Sequence, residues 1–182
     1  MNCPDFMQAG RIINDIDIND LASLYKRKVF DAISKLKFKI CVFDFDGTLT
    51  SFKYAPDRLL PCKDSDLQEY CKEHNLYKNA TILKTMQYIM NELDSDDVYI
   101  VTSTVESLRD NKNRCIHANF PTIKNEHIIH TNGSMEKLTV LEDIYSKRGR
   151  EIIFVEDLYK ILLEAEERFD YVRGLHISNL LP

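Results

Sequence analysis

The chain lacks the cysteine, charge and hydrophobic patterns that mark whole classes of protein. It has five cysteines, Cys3, Cys41, Cys62, Cys71 and Cys115. The count is odd and no CxxC occurs, so neither a zinc pattern nor a disulfide framework is present. Cys41 lies in an apolar run and is expected to be a small core residue. No stretch is apolar and long enough to cross a membrane, and Met1 to Asn14 carries no signal-peptide core. A cytoplasmic, reduced protein without a membrane partner is therefore expected. Positive charge is not in excess: the net formal charge is −5, and no Lys/Arg cluster is interleaved with aromatics. Both absences argue against nucleic acid as the main partner. No repeat or low-complexity tract interrupts the 182 residues, a length that suits one domain with a sizeable core.

What is present is an alternation of two hydrophobic periods. Leu21, Leu24, Tyr25, Ile33 and Leu36 fall near helical spacing, which predicts a helix over 19–35 with Asp20 as its N-cap. The run 38–45 is short, apolar and closed by Asp-Gly, as expected of a strand buried on both faces. Helices are then predicted at 79–93, 104–117, 135–147 and 157–168. Strands are predicted at 98–101, 128–130, 152–155 and 171–177. Alternating strands and helices predict a three-layer, Rossmann-like α/β fold with an open parallel sheet. Residues 1–37 are expected to form an N-terminal helical segment packing on a core of residues 38–182. Residues 50–78, irregular and polar with a short helix near 64–72, form a short insertion in that core.

In such sheets ligands bind beyond the carboxyl ends of the strands. The first predicted strand ends in Asp44-Phe45-Asp46-Gly47-Thr48, and the second in Thr102-Ser103-Thr104. Lys137 lies in the first turn of the helix after the third, and the fourth ends in Glu156-Asp157. Two acids two apart on a strand point the same way and repel unless a cation sits between them. An EF-hand loop is excluded, because Leu49 and Ala55 occupy the positions that need Gly and an acid. Ser103 with Glu106 has the form of a capping box, compatible with an anion site at a helix N-terminus. Lys137 opposes the helix dipole, a conflict that a bound anion would remove. Glu156-Asp157 alone is a favourable acidic helix start. Beside Asp44 and Asp46 it completes a set of hard oxygen ligands suited to Mg2+.

This constellation resembles the haloacid dehalogenase-like superfamily of phosphohydrolases. Asp44-Phe45-Asp46-Gly47-Thr48 matches the family's Asp-x-Asp-Gly-Thr motif in full. Thr102, Lys137 and Asp157 match its three later motifs in order and spacing, over about residues 38–178. The resemblance implies an aspartyl-phosphate formed on Asp44, with Asp46 as acid and then base. It implies phosphoryl contacts from Gly47, Thr48, Thr102, Ser103 and Lys137, with Lys137 also neutralising Asp44. It further implies Mg2+ held by Asp44, Asp46 (through its carbonyl) and Asp157, with Glu156 beside the site. Glu156 stands where many members have Gly, and no acid occurs at 158–163, so the support around Asp157 departs from the family pattern. The insertion at 50–78 is short for a cap, so the site is expected to be open, covered by a small lid, or covered by a second copy of the chain. Lys53, Tyr54 and Arg58 are its candidate substrate contacts. The expected activity is a phosphomonoesterase on an unspecified phosphorylated substrate. The alternatives are a phosphotransferase or nucleic-acid end phosphatase, and a non-catalytic regulatory protein of the same fold.

Overall fold

The computed structural model describes residues 18–51 and 75–181. Five strands form one parallel sheet: β1 Ile40–Phe43, β4 Val98–Ser103, β5 Ile128–Thr131, β6 Ile152–Glu156 and β7 Val172–His176, in the order β5-β4-β1-β6-β7. The chain moves outward from β1 through β4 to β5, then crosses back to β6 and out to β7. Its direction of winding reverses between β1 and β6, the place where an open α/β sheet offers a crevice.

Alternation along each strand divides the core in two. On one face, Cys41, Phe43, Val98, Ile100 and Val155 pack against three helices: α1 (Ile18–Leu36) through Val29, Ala32 and Leu36, α2 (Lys84–Asn91) through Met86, Ile89 and Met90, and α3 (Arg109–Asn119) through Cys115 and Ile116. On the other, Ile40, Val42, Val101, Ile152 and Phe154 pack against α4 (Glu136–Arg148) and α5 (Tyr159–Arg168). Each fully buried Leu, Ile or Phe in these layers contributes roughly 1.5–3 kcal/mol. Cys41 is a core residue as expected: it is buried, and burial followed by Asp97 pushes its thiol up to about 12.

Local expectations fail in three places. Asp20 lies inside α1, which begins at Ile18. The helix expected from residue 79 is instead a 3-10 turn, Leu76–Asn79, then strand β3 (Thr81–Ile82), then α2. β-branched Thr81 and Ile82 pair antiparallel with β2 (Thr50–Ser51), and the amide of Leu83 donates to the carbonyl of Leu49. The short ladder joins the chain's departure after the Asp44 loop to its return. The helix predicted at 64–72 and Lys53, Tyr54 and Arg58 lie outside the described residues. Ser103 caps nothing: a 3-10 turn, Glu106–Leu108, precedes α3, whose N-cap is Leu108, and the Ser103 hydroxyl pairs with Thr131 Oγ1 at 3.1 Å. No helix among the described residues is long and apolar enough to cross a membrane.

Candidate active site

The loop after β1 is folded tightly on one carbonyl. The Phe45 oxygen accepts from the Leu49 amide (2.9 Å), the Thr50 amide (3.1 Å) and Thr50 Oγ1 (3.1 Å). Phe45 is buried between Tyr77 and Phe120, which anchors the loop in the core. The Gly47 amide donates to the Thr50 carbonyl at 2.9 Å, and φ at Gly47 is +83°. A Cβ at Gly47 would stand 2.3 Å from Asp157 Oδ2. Glycine is therefore required for two reasons: the left-handed backbone and the carboxylate against it.

Asp44, Glu156 and Asp157 each place an oxygen within 4.8 Å of the others. Asp44 and Glu156 are buried, and Lys137 joins them, its Nζ donating to Asp44 Oδ1 and to Glu156 Oε2 at 2.6 Å each. Burial is the largest influence on Asp44 and raises its pKa to about 6; Lys137 opposes the rise, while Glu156 and Asp46 add to it. Glu156 is raised as well, again by burial first. Burial also acts on the Lys137 ammonium, but the two carboxylates outweigh it and leave its pKa raised. The cation in the first turn of α4 is thus balanced by the protein's own carboxylates.

Glu156 has no oxygen to spare. Its Oε2 is bound to Lys137, and its Oε1 accepts from the amides of Asp157 (3.1 Å) and Leu158 (3.3 Å). Among the described residues, no group donates to Asp44 Oδ2 or to either carboxylate oxygen of Asp157. These are the oxygens left to receive a cation. His176, at the end of β7, contacts the Asp157 carbonyl through Nε2 at 3.0 Å. A neighbouring strand thereby braces Asp157 where no acid follows it in sequence.

The Asp46 side chain departs from the expectation that it points the same way as that of Asp44. β1 ends at Phe43, so the strand rule does not govern either acid, and the two part toward opposite layers. Asp46 Oδ2 meets Lys112 Nζ at 2.7 Å and Tyr77 Oη at 3.3 Å, while its Oδ1 is buried and unpartnered among the described residues. Its side chain is not in the carboxylate cluster around Asp157.

Lys112 was not singled out in the sequence. It is completely buried, and it also donates to Thr102 Oγ1 at 2.9 Å and to the Ser103 carbonyl at 3.1 Å. One signal could have found it. Lys112 stands three and four residues before Cys115 and Ile116, on the one apolar stripe of an otherwise polar helix.

Thr102 and Thr48 are buried, and Thr48 Oγ1 has no partner among the described residues. Asp44, Asp46, Thr102, Lys137, Glu156, Asp157 and Gly47 thus gather at the carboxyl edge of the sheet, whereas the Ser103 hydroxyl turns aside to Thr131. No family model matches the chain, and no curated protein is significantly similar to it.

Proposed function

We propose that the protein is a Mg2+-dependent phosphohydrolase of the haloacid dehalogenase-like type, cleaving a phosphomonoester through an aspartyl-phosphate on Asp44. The observation that carries this reading is Lys137, clamped between Asp44 and Glu156 at 2.6 Å beside Asp157. A buried nucleophile, a cation bound to it and free carboxylate oxygens meet at the crevice between β1 and β6.

The donor set fits a hard divalent ion. Asp44, Asp46, Glu156 and Asp157 place four carboxylates against the two ammonium groups of Lys112 and Lys137, and the deficit is positive charge. Asp44 Oδ2, Asp157 and the Asp46 carbonyl would hold Mg2+, which supplies charge neutralisation for a dianionic phosphate.

The chain's own residues account for the rest. Lys137 uses two of an ammonium's three donors on carboxylates, which leaves one for a phosphoryl oxygen. Thr102 accepts from Lys112 and so keeps its own hydroxyl proton for another phosphoryl oxygen. A bond forms from Asp44 to phosphorus as the bond to the leaving oxygen breaks, and Asp46 gives that oxygen its proton. Water then attacks phosphorus, Asp46 takes the proton back, and Asp44 is released with inorganic phosphate. Most of the acceleration comes from positioning and charge stabilisation.

The test is hydrolysis of an aryl phosphate with and without Mg2+, beside Asp44→Asn. Turnover that needs the metal and disappears in the variant is expected. Wild-type protein inert on a broad phosphate panel with every divalent metal would refute the reading.

A further inference from the structure

We infer that Lys112 is a positioning residue that fixes Asp46 and Thr102 for proton transfer to the leaving group without touching substrate itself. The inference rests on the phosphohydrolase reading above.

The argument is a count of donors. An ammonium has three protons to donate. Those of Lys112 meet Asp46 Oδ2 at 2.7 Å, Thr102 Oγ1 at 2.9 Å and the Ser103 carbonyl at 3.1 Å. None remains for a ligand, and the side chain is completely enclosed, with its Nζ 5.2 Å from the Tyr77 ring centroid and 5.9 Å from that of Phe45. Lys137, by contrast, retains one donor.

The consequence falls on Asp46. Lys112 and Tyr77 both engage Oδ2, so the carboxylate is held by one oxygen. The other, Oδ1, is buried and bound to nothing among the described residues. Two contacts on one oxygen fix the orientation of the carboxylate that gives a proton to the leaving oxygen and later accepts one from water. The same ammonium orients Thr102 by occupying a lone pair, leaving the hydroxyl hydrogen to point at the phosphoryl group. Lys112 also ties the end of β4 to the loop after β1, two separate stretches of chain that must stay in register for the reaction.

Such a role has a signature that a merely structural lysine lacks. A leaving group that is already a stable anion needs no proton, whereas an alkoxide does. In Lys112→Met, kcat/KM for a simple alkyl phosphate is expected to fall about 100-fold, the scale set by lost orientation and lost acid catalysis. For 4-nitrophenyl phosphate the fall should be smaller by about tenfold or more. The thermal unfolding midpoint of each variant is recorded alongside. Should Lys112→Met fail to fold, Tyr77→Phe removes the second contact to Oδ2 and is expected to show the same bias toward the alkyl substrate at smaller size. Equal losses on the two substrates, or no loss on either, in a folded variant of an active enzyme overturn the role of Lys112 and leave the phosphohydrolase reading standing. A wild type that hydrolyses neither substrate with Mg2+ overturns both.

Discussion

On the β1–β6 side of the crevice, Lys137 reaches from α4 to two buried carboxylates. On the β1–β4 side, Lys112 reaches from α3 in the opposite layer to one carboxylate, one hydroxyl and one carbonyl. Both lysines are buried, yet their surroundings differ in charge. The Lys137 ammonium is outweighed by anions and its pKa is raised, whereas burial dominates at Lys112 and lowers it. The difference separates two uses of a buried cation. One neutralises charge where the chemistry happens; the other holds neighbouring groups in place at an electrostatic penalty.

The most severe way to probe that contrast is to remove each cation in turn. Lys137→Met leaves two buried carboxylates without their partner, a change that costs about 3–5 kcal/mol in comparable buried pairs. With its donor to the phosphoryl group gone, turnover should fall by about 1000-fold. Lys112→Met strands only one carboxylate, that of Asp46, whose side chain is 34% exposed, beside two uncharged acceptors, so its loss in urea unfolding should be clearly smaller. Equal stability losses in the two variants would erase the distinction.

A finer probe lies at the contact between Gly47 and Asp157. Gly47→Ala puts a methyl group at a position 2.3 Å from Asp157 Oδ2 and on a backbone with φ of +83°. Strain of this kind costs about 1–3 kcal/mol. Asp157 must move, so Mg2+ affinity measured by calorimetry should weaken about 10–100-fold. The Lys112–Asp46–Thr102 group makes no hydrogen bond to Asp157 among the described residues, and its own hydrogen bonds should be left intact. An unchanged Mg2+ affinity would remove Asp157 from the cation site.

Protonation offers a third probe, confined to the Lys137 side. Asp44 ionises at about 6 in the metal-free fold against a reference of 3.8. A raised folded value means that its contribution to stability is present at low pH and is lost as pH rises from 3.8 through 6. A cation on Asp44 demands the ionised form, so Mg2+ binding should release about 0.9 proton at pH 5 and almost none at pH 8. Titration calorimetry in two buffers of different ionisation enthalpy reads this directly. Equal proton release at both pH values would show that Asp44 is not the group being displaced.

Much of this was legible because it is written in short, periodic stretches. The runs 38–45 and 152–155 read as buried strands from their apolar residues, and the acids that follow them lie at the carboxyl edge of the sheet. Lys137 was legible because a cation in a helix's first turn conflicts with the dipole. Its pairing with Asp44 is already implied by the family resemblance; the contact with Glu156 was not anticipated, because strand order brings that carboxylate to the same ammonium. Lys112 escaped because a helix reading Arg-Asp-Asn-Lys-Asn-Arg has almost no apolar stripe, and only the tertiary fold shows which lysine turns inward. The Thr81–Ile82 strand was hidden in the same way, since a two-residue ladder has no period to detect.

The smallest effect belongs to His130, beneath α3 on the Lys112 side. Its Nε2 contacts Asn113 Oδ1 at 2.7 Å, and its Nδ1 is buried without a partner among the described residues. Burial first, then Lys112 and Arg109, lowers its pKa from 6.5 to about 4, with Asp46 acting weakly the other way. The ring therefore stays neutral in the fold while the unfolded chain takes up a proton below 6.5. Between pH 6.5 and 4 the unfolded state binds more protons, so this group's contribution to stability declines as pH falls. The decline should amount to about 1 kcal/mol, once the shift is discounted for a ring that is only half-buried. Urea unfolding from pH 7 to pH 4 on wild type and His130→Gln isolates it, because the variant should lose that part of the slope and keep the part due to the carboxylates. Lys112→Met should also raise the His130 midpoint in an NMR titration by removing a neighbouring positive charge, whereas Lys137→Met should leave it in place. A His130 midpoint that responds to both lysines alike would mean that the two halves of the site are electrostatically one.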